Sequence, residues 1–110
     1  MGKQKPLEEI TEAEVSRQVK AVIAGTGLAI QRINAGGPGR FKSAEAGTLD
    51  FEGYDNHGRH VALEAKRPVG GRLAPHQKAR IDDINAKGGL AAVVHSGPEA
   101  LSFLVNNGCL

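Results

Sequence analysis

At 110 residues the chain suits a single domain, and 40% hydrophobic against 24% charged residues excludes a disordered polyelectrolyte. A net charge of +2 does not by itself announce a polyanionic partner. The lone cysteine, Cys109, excludes an internal disulfide and a thiolate zinc cluster, and no apolar run nears the roughly 18 residues of a membrane helix, so a cytoplasmic protein is expected.

Residues 1–10 read as a frayed, charged lead-in to a single domain over 11–105. Thr11 is a good N-cap, Glu12 and Glu14 suit the first turn, and Val15, Val19, Val22 and Ile23 recur at helical spacing, predicting a helix over 11–24 that ends at Gly25 and Gly27. LAIQRIN, 28–34, alternates as a strand, and the Gly- and Pro-rich stretch 35–47 reads as a long loop of a length that often carries function. TLDFEGY, 48–54, and RHVALEAK, 59–66, are two strands of a hairpin around Asp55-Asn56-His57-Gly58. A second loop, 67–74, leads to a helix over 75–87 with Pro75 at its first position. LAAVVH, 90–95, suits a buried strand, Ser96-Gly-Pro-Glu99 opens a short helix to about Val105, and 106–110 reads as a frayed tail. The order α-β-β-β-α-β-α predicts an α/β fold: a small mixed four-stranded sheet flanked by helices, its last two strands parallel because a helix joins them.

The chemistry concentrates in HVALEAKRP, 60–68. Strand alternation puts Val61, Leu63 and Ala65 on one face and Ala62, Glu64 and Lys66 on the other. An acid-x-Lys triplet arises by chance about once in a chain of this charge content, so a solvated edge pair is the competing reading. Three features favour a site. The triplet ends a strand before a basic, Gly-rich loop. A second acid, Asp50, sits between Leu49 and Phe51 on the partner strand, and a third, Glu12 or Glu14, lies on the first helix. Two or three carboxylates with a few waters are what Mg²⁺ or Mn²⁺ requires.

GTLDFEGY followed by HVALEAKRP resembles the PD-(D/E)xK nuclease motif in its VRR-NUC form. TEAEVSRQV is similar to that family's first-helix acid and apolar residues, QRINAGG to its Arg-x-Asn-x-Gly strand end, and GGRLAPHQKARIDDINAKGGLAAVV to its Gly-x-Leu-x-x-x-Gln helix and following strand. The resemblance covers about 11–105, with Leu49 where the family usually has Pro and Ser16 where it commonly has Gln. It implies a restriction-endonuclease-like fold and a metal-dependent DNA endonuclease, of the stand-alone phage or bacterial kind that works as a homodimer on branched, junction-like DNA. Under it, Asp50, Glu64 and the Ala65 carbonyl hold Mg²⁺ or Mn²⁺. Glu12 joins them, with Glu14 the alternative, Lys66 orients water or phosphate, and Gln77 supports the site. Gln77 also reads as a plain helix-surface amide. Arg32, Arg40, Lys42, Arg67 and Arg72 would grip backbone phosphates, with a solvated surface the competing reading for each. Phe41 would stack on a base or anchor its loop. His57, His60, His76 and His95 show no paired ligand spacing and read as turn, edge and surface residues.

Turn geometry supplies a test. A two-residue turn at Asn56-His57 throws Asp50 and Glu64 to opposite faces. A three-residue turn Asn56-His57-Gly58, with Gly58 left-handed, sets Asp55 against Arg59 and Asp50 against Glu64; that turn, or a bulge with the same effect, is predicted. Two rivals to the nuclease are a catalytically idle nucleic-acid-binding module and a structural α/β adaptor whose Glu64 and Lys66 form an edge pair.

Overall fold

A computed structural model describes residues 5–33 and 48–110. Helix α1 spans Glu12–Thr26, beginning in a reciprocal cap: Thr11 Oγ1 accepts the Glu14 N–H at 3.1 Å, and the Glu14 carboxylate accepts the Thr11 N–H at 2.8 Å. Val15, Val19 and Ile23, four residues apart, form its buried stripe. The helix runs past Gly25, where the sequence predicts its end, and stops where the chain turns left-handed at Gly27.

The sheet has strand order β1 (Ala29–Arg32), β2 (Phe51–Tyr54), β3 (His60–Ala65), β4 (Leu90–Val94). The first two pairings are antiparallel and the third is parallel. Helix α2 (Pro75–Ala86) makes the crossover from β3 to β4, and α3 (Gly97–Asn106) follows, its N-cap Ser96 Oγ accepting the Glu99 N–H at 3.1 Å. The protein is therefore a small mixed α/β fold with helices against both faces of its sheet. Val15, Val19, Leu104, Phe51, Val61 and Leu63 build the main core between the sheet and α1 with α3. Leu49, Ala62, Ile84 and Ala91 build a smaller one under α2. No helix among the described residues is long and apolar enough to cross a membrane.

Two consequences bear on the site. First, β3 lies between β2 and β4 and is covered on both faces, so HVALEA is an interior strand and not a solvated edge. Secondly, the hairpin takes the three-residue turn. Gly58 has φ +80, a conformation glycine reaches without strain, and Asp55 N–H donates to the Arg59 carbonyl at 3.0 Å. The Asp55 carboxylate accepts the N–H groups of His57 and Arg59 and pairs with the Arg59 guanidinium at 2.7 Å. Burial alone would raise its pKa, but these donors overcome it and lower it from 3.8 to about 2. Tyr54 then faces His60 and Phe51 faces Leu63, which continues to Asp50 against Glu64.

The chain ends depart from the expected fraying. Leu7–Glu9 form a 3₁₀ turn, and Ile10 packs against the main core. In the tail, Cys109 is fully buried, its carbonyl accepts the Asn56 N–H at 3.1 Å, and Arg59 donates to the carbonyls of Asn107 (2.7 Å) and Gly108 (3.1 Å). The tail thus clasps the hairpin turn. The strand over 48–54 is shorter than expected because the chain bends at Asp50 before β2 begins.

Candidate active site

The carboxyl end of β3 gathers the groups. Asp50, just before β2, and Glu64, on β3, interlock through backbone. The Asp50 N–H donates to Glu64 Oε1 at 3.1 Å, and Asp50 Oδ2 accepts the Ala65 N–H at 3.0 Å. Each acid therefore fixes the peptide that carries or follows the other. Glu64 is only 2% exposed. Its second oxygen, Oε2, accepts the Gln77 amide at 2.9 Å and lies 3.3 Å from Lys66 Nζ.

Gln77 is not a surface amide. It sits in the first turn of α2, where its Oε1 accepts the Ala74 N–H at 2.9 Å, an otherwise unpaired donor at the helix start. That contact leaves its amide N–H pointing at Glu64. Lys66 sits between two acids, 3.3 Å from Glu64 and 3.8 Å from Glu12 Oε1. Glu12 is 51% exposed, whereas Glu14 is consumed by the helix cap and by an ion pair with Lys5. Those contacts, Lys5 first, hold the Glu14 carboxyl below its usual range. Of the two candidate acids on α1, Glu12 is the one beside Lys66.

Burial is the main cause that pushes the Glu64 pKa up, and the Asp50 charge adds to it; Lys66 opposes both without cancelling them. The corner therefore carries excess negative charge in a desolvated setting. Among the described residues no cluster of three or more His, Cys, Asp or Glu side chains is arranged to hold a metal. Two carboxylates with a backbone carbonyl remain a hard-oxygen donor set, and Mg²⁺ commonly takes one or two carboxylates and keeps several waters. By donor chemistry the Asp50 and Glu64 carboxylates suit such an ion.

The basic residues divide. Arg67 and Arg72 line an open groove of about 610 Å³ with Glu12 and Thr11, next to Lys66 in sequence and space. Arg32 lies over the Phe51 ring at 5.8 Å, on the α1–α3 face, opposite the face of Asp50 and Glu64. Arg40, Phe41 and Lys42 lie outside the described residues.

The sequence reading missed Glu52. This acid is two residues beyond Asp50 and on the same face. Its carboxylate accepts the Leu49 N–H at 3.1 Å, pairs with Arg80 of α2 at 2.9 Å and meets His60 Nε2 at 3.0 Å. Its only sequence signal was the period-2 spacing from Asp50, which reads equally as a solvated face. His60 is accordingly a partner of Glu52, while His95 pairs with Glu99 at 3.1 Å.

No protein-family model matches the chain, and neither characterised proteins nor solved structures match it.

Proposed function

We propose that the protein is a metal-dependent endonuclease that hydrolyses DNA phosphodiester bonds, a VRR-NUC-like member of the PD-(D/E)xK superfamily with a restriction-endonuclease-like fold. One observation carries this reading: a buried glutamate, Glu64, shares its corner with Asp50 while one of its oxygens meets both Gln77 and Lys66. A purely structural ion pair needs no second acid beside it, and like charges in a desolvated corner are a cost that function explains.

Asp50, Glu64 and the Ala65 carbonyl would hold Mg²⁺ or Mn²⁺, which when bound acidifies water and offsets charge developing on phosphate. The chain's own groups do the rest. Gln77 fixes Glu64 in the rotamer that turns it towards Asp50. Lys66, at the rim of the pair, orients the attacking water or a non-bridging phosphate oxygen. Glu12 keeps the Lys66 ammonium from collapsing onto Glu64 alone. Arg67 and Arg72 grip neighbouring backbone phosphates, a contact that positions the strand without reading bases. A single small unit offers limited surface for a large duplex, so we assign a homodimer acting on branched, junction-like DNA.

Cleavage tests this directly. Purified protein is incubated with labelled linear, nicked, flap and four-way DNA in Mg²⁺ or Mn²⁺. Cutting of a branched substrate is expected, abolished by EDTA and by Lys66→Ala, with DNA binding retained in both cases. Every substrate left intact by the wild-type protein overturns the reading. DNA binding that persists without cutting in either metal leaves the idle module in its place.

A further inference from the structure

We propose that Glu52 is a positioning residue: it ties the segment carrying Asp50 to the helix carrying Gln77, and so sets how the two meet on Glu64. Its catalytic consequence rests on the nuclease reading; its structural consequence does not.

The contacts close a ring. Glu52 holds the N–H of Leu49, the residue before Asp50, at 3.1 Å, and Asp50 N–H reaches Glu64 at 3.1 Å. Glu64 accepts Gln77 of α2 at 2.9 Å, and Arg80, three residues further along the same helix face, returns to Glu52 at 2.9 Å. Leu49 and Asp50 precede the first residue of β2, and there the Asp50 carbonyl still accepts the Ile33 N–H, just past β1, at 2.7 Å. The Glu52 carboxylate adds a second tether at the Leu49 N–H.

The three acids on this face also divide by partner. Glu52 is 11% exposed and meets a guanidinium and an imidazole. Glu64 instead meets an ammonium, Lys66 at 3.3 Å, and an amide, Gln77 at 2.9 Å, while Asp50 is held through backbone N–H groups. An Arg–carboxylate fork is directional, so it fixes the angle of α2 as well as its distance.

Glu52→Gln keeps the shape and an acceptor for Leu49 while weakening the Arg80 arm. Two amides report the site without needing activity: Asp50 N–H and Ala65 N–H, each bonded to the opposite acid. Their hydrogen exchange is expected to quicken by roughly tenfold in Glu52→Gln, while the Val19 amide of α1 keeps its wild-type rate. On a cleaved substrate, kcat is expected to fall by roughly tenfold with KM changed by less than about twofold. Arg80→Gln should match this, and the double variant should lose little more than either single one, because both cut one ring.

Wild-type exchange at Asp50 and Ala65 in Glu52→Gln overturns the proposal, as does full additivity with Arg80→Gln. Should Glu52→Gln fail to fold, Arg80→Gln and Glu52→Asp open the same arm and are read by the same two amides. A wild-type protein that cuts no DNA defeats the nuclease reading alone; the exchange measurement still decides the role of Glu52.

Discussion

Glu64 is held against its own solvation. In the metal-free protein its carboxyl is expected to titrate above the ordinary glutamate range, because burial and Asp50 outweigh Lys66. Carbon-detected NMR titration of that carboxyl gives three readings. Lys66→Ala removes the opposing cation and raises the value further; Asp50→Asn lowers it; Mg²⁺ lowers it most. A Glu64 that titrates normally in the metal-free protein would refute the excess charge. The sign for stability follows. A folded pKa above the unfolded one means that Glu64 costs nothing below the unfolded pKa, where both states are protonated. The cost grows as pH rises through the folded value. The residue most needed for the proposed chemistry therefore weakens the metal-free fold towards neutral pH, and a bound cation removes that penalty.

Among the elements, α1 separates a structural acid from a functional one. Glu14→Ala, which removes the acceptor for the Thr11 N–H, is expected to lower Tm by loosening the cap while leaving cleavage intact, and Glu12→Gln to slow cleavage with Tm unchanged. Thermal unfolding paired with a cleavage assay separates them; a reversed pattern would make Glu14 the site residue. The β1–β2 pairing has its own weak point at Gly53. A Cβ there would stand 2.0 Å from the Ala29 carbonyl oxygen, so Gly53→Ala should cost about 1–3 kcal/mol in urea unfolding. The hairpin register was legible in the sequence because two local facts agreed: the left-handed residue a three-residue turn demands is glycine, and strand alternation has a fixed period. Gln77 was only half legible. Its spacing matched the motif, yet whether an amide in a first helical turn meets solvent or a buried acid depends on how the helix docks. Glu52 was less legible still, since its main partner, Arg80, is 28 residues away in sequence.

For the whole molecule, the acid pair links metal to stability. Saturating Mg²⁺ at about 100 times its Kd should add about 2.7 kcal/mol to the wild-type protein and nothing to Asp50→Asn, seen as a metal-dependent Tm in one and not the other. An equal Tm shift in both would place the ion elsewhere. Element order and the parallel crossover could be read from Gly and Pro punctuation and from helical period. The clasped tail could not: Asn-Asn-Gly-Cys-Leu has no apolar period, and its partner Arg59 lies 48 residues earlier. That clasp has a practical use. The sole thiol, on Cys109, is sealed at 0% exposure, with its pKa raised by burial first and by the Asp55 charge second. A disulfide reagent in solution can modify it only when the tail lifts away from the hairpin turn. Labelling kinetics would therefore clock the release of the tail from the hairpin turn, with a reporter already built into the native chain.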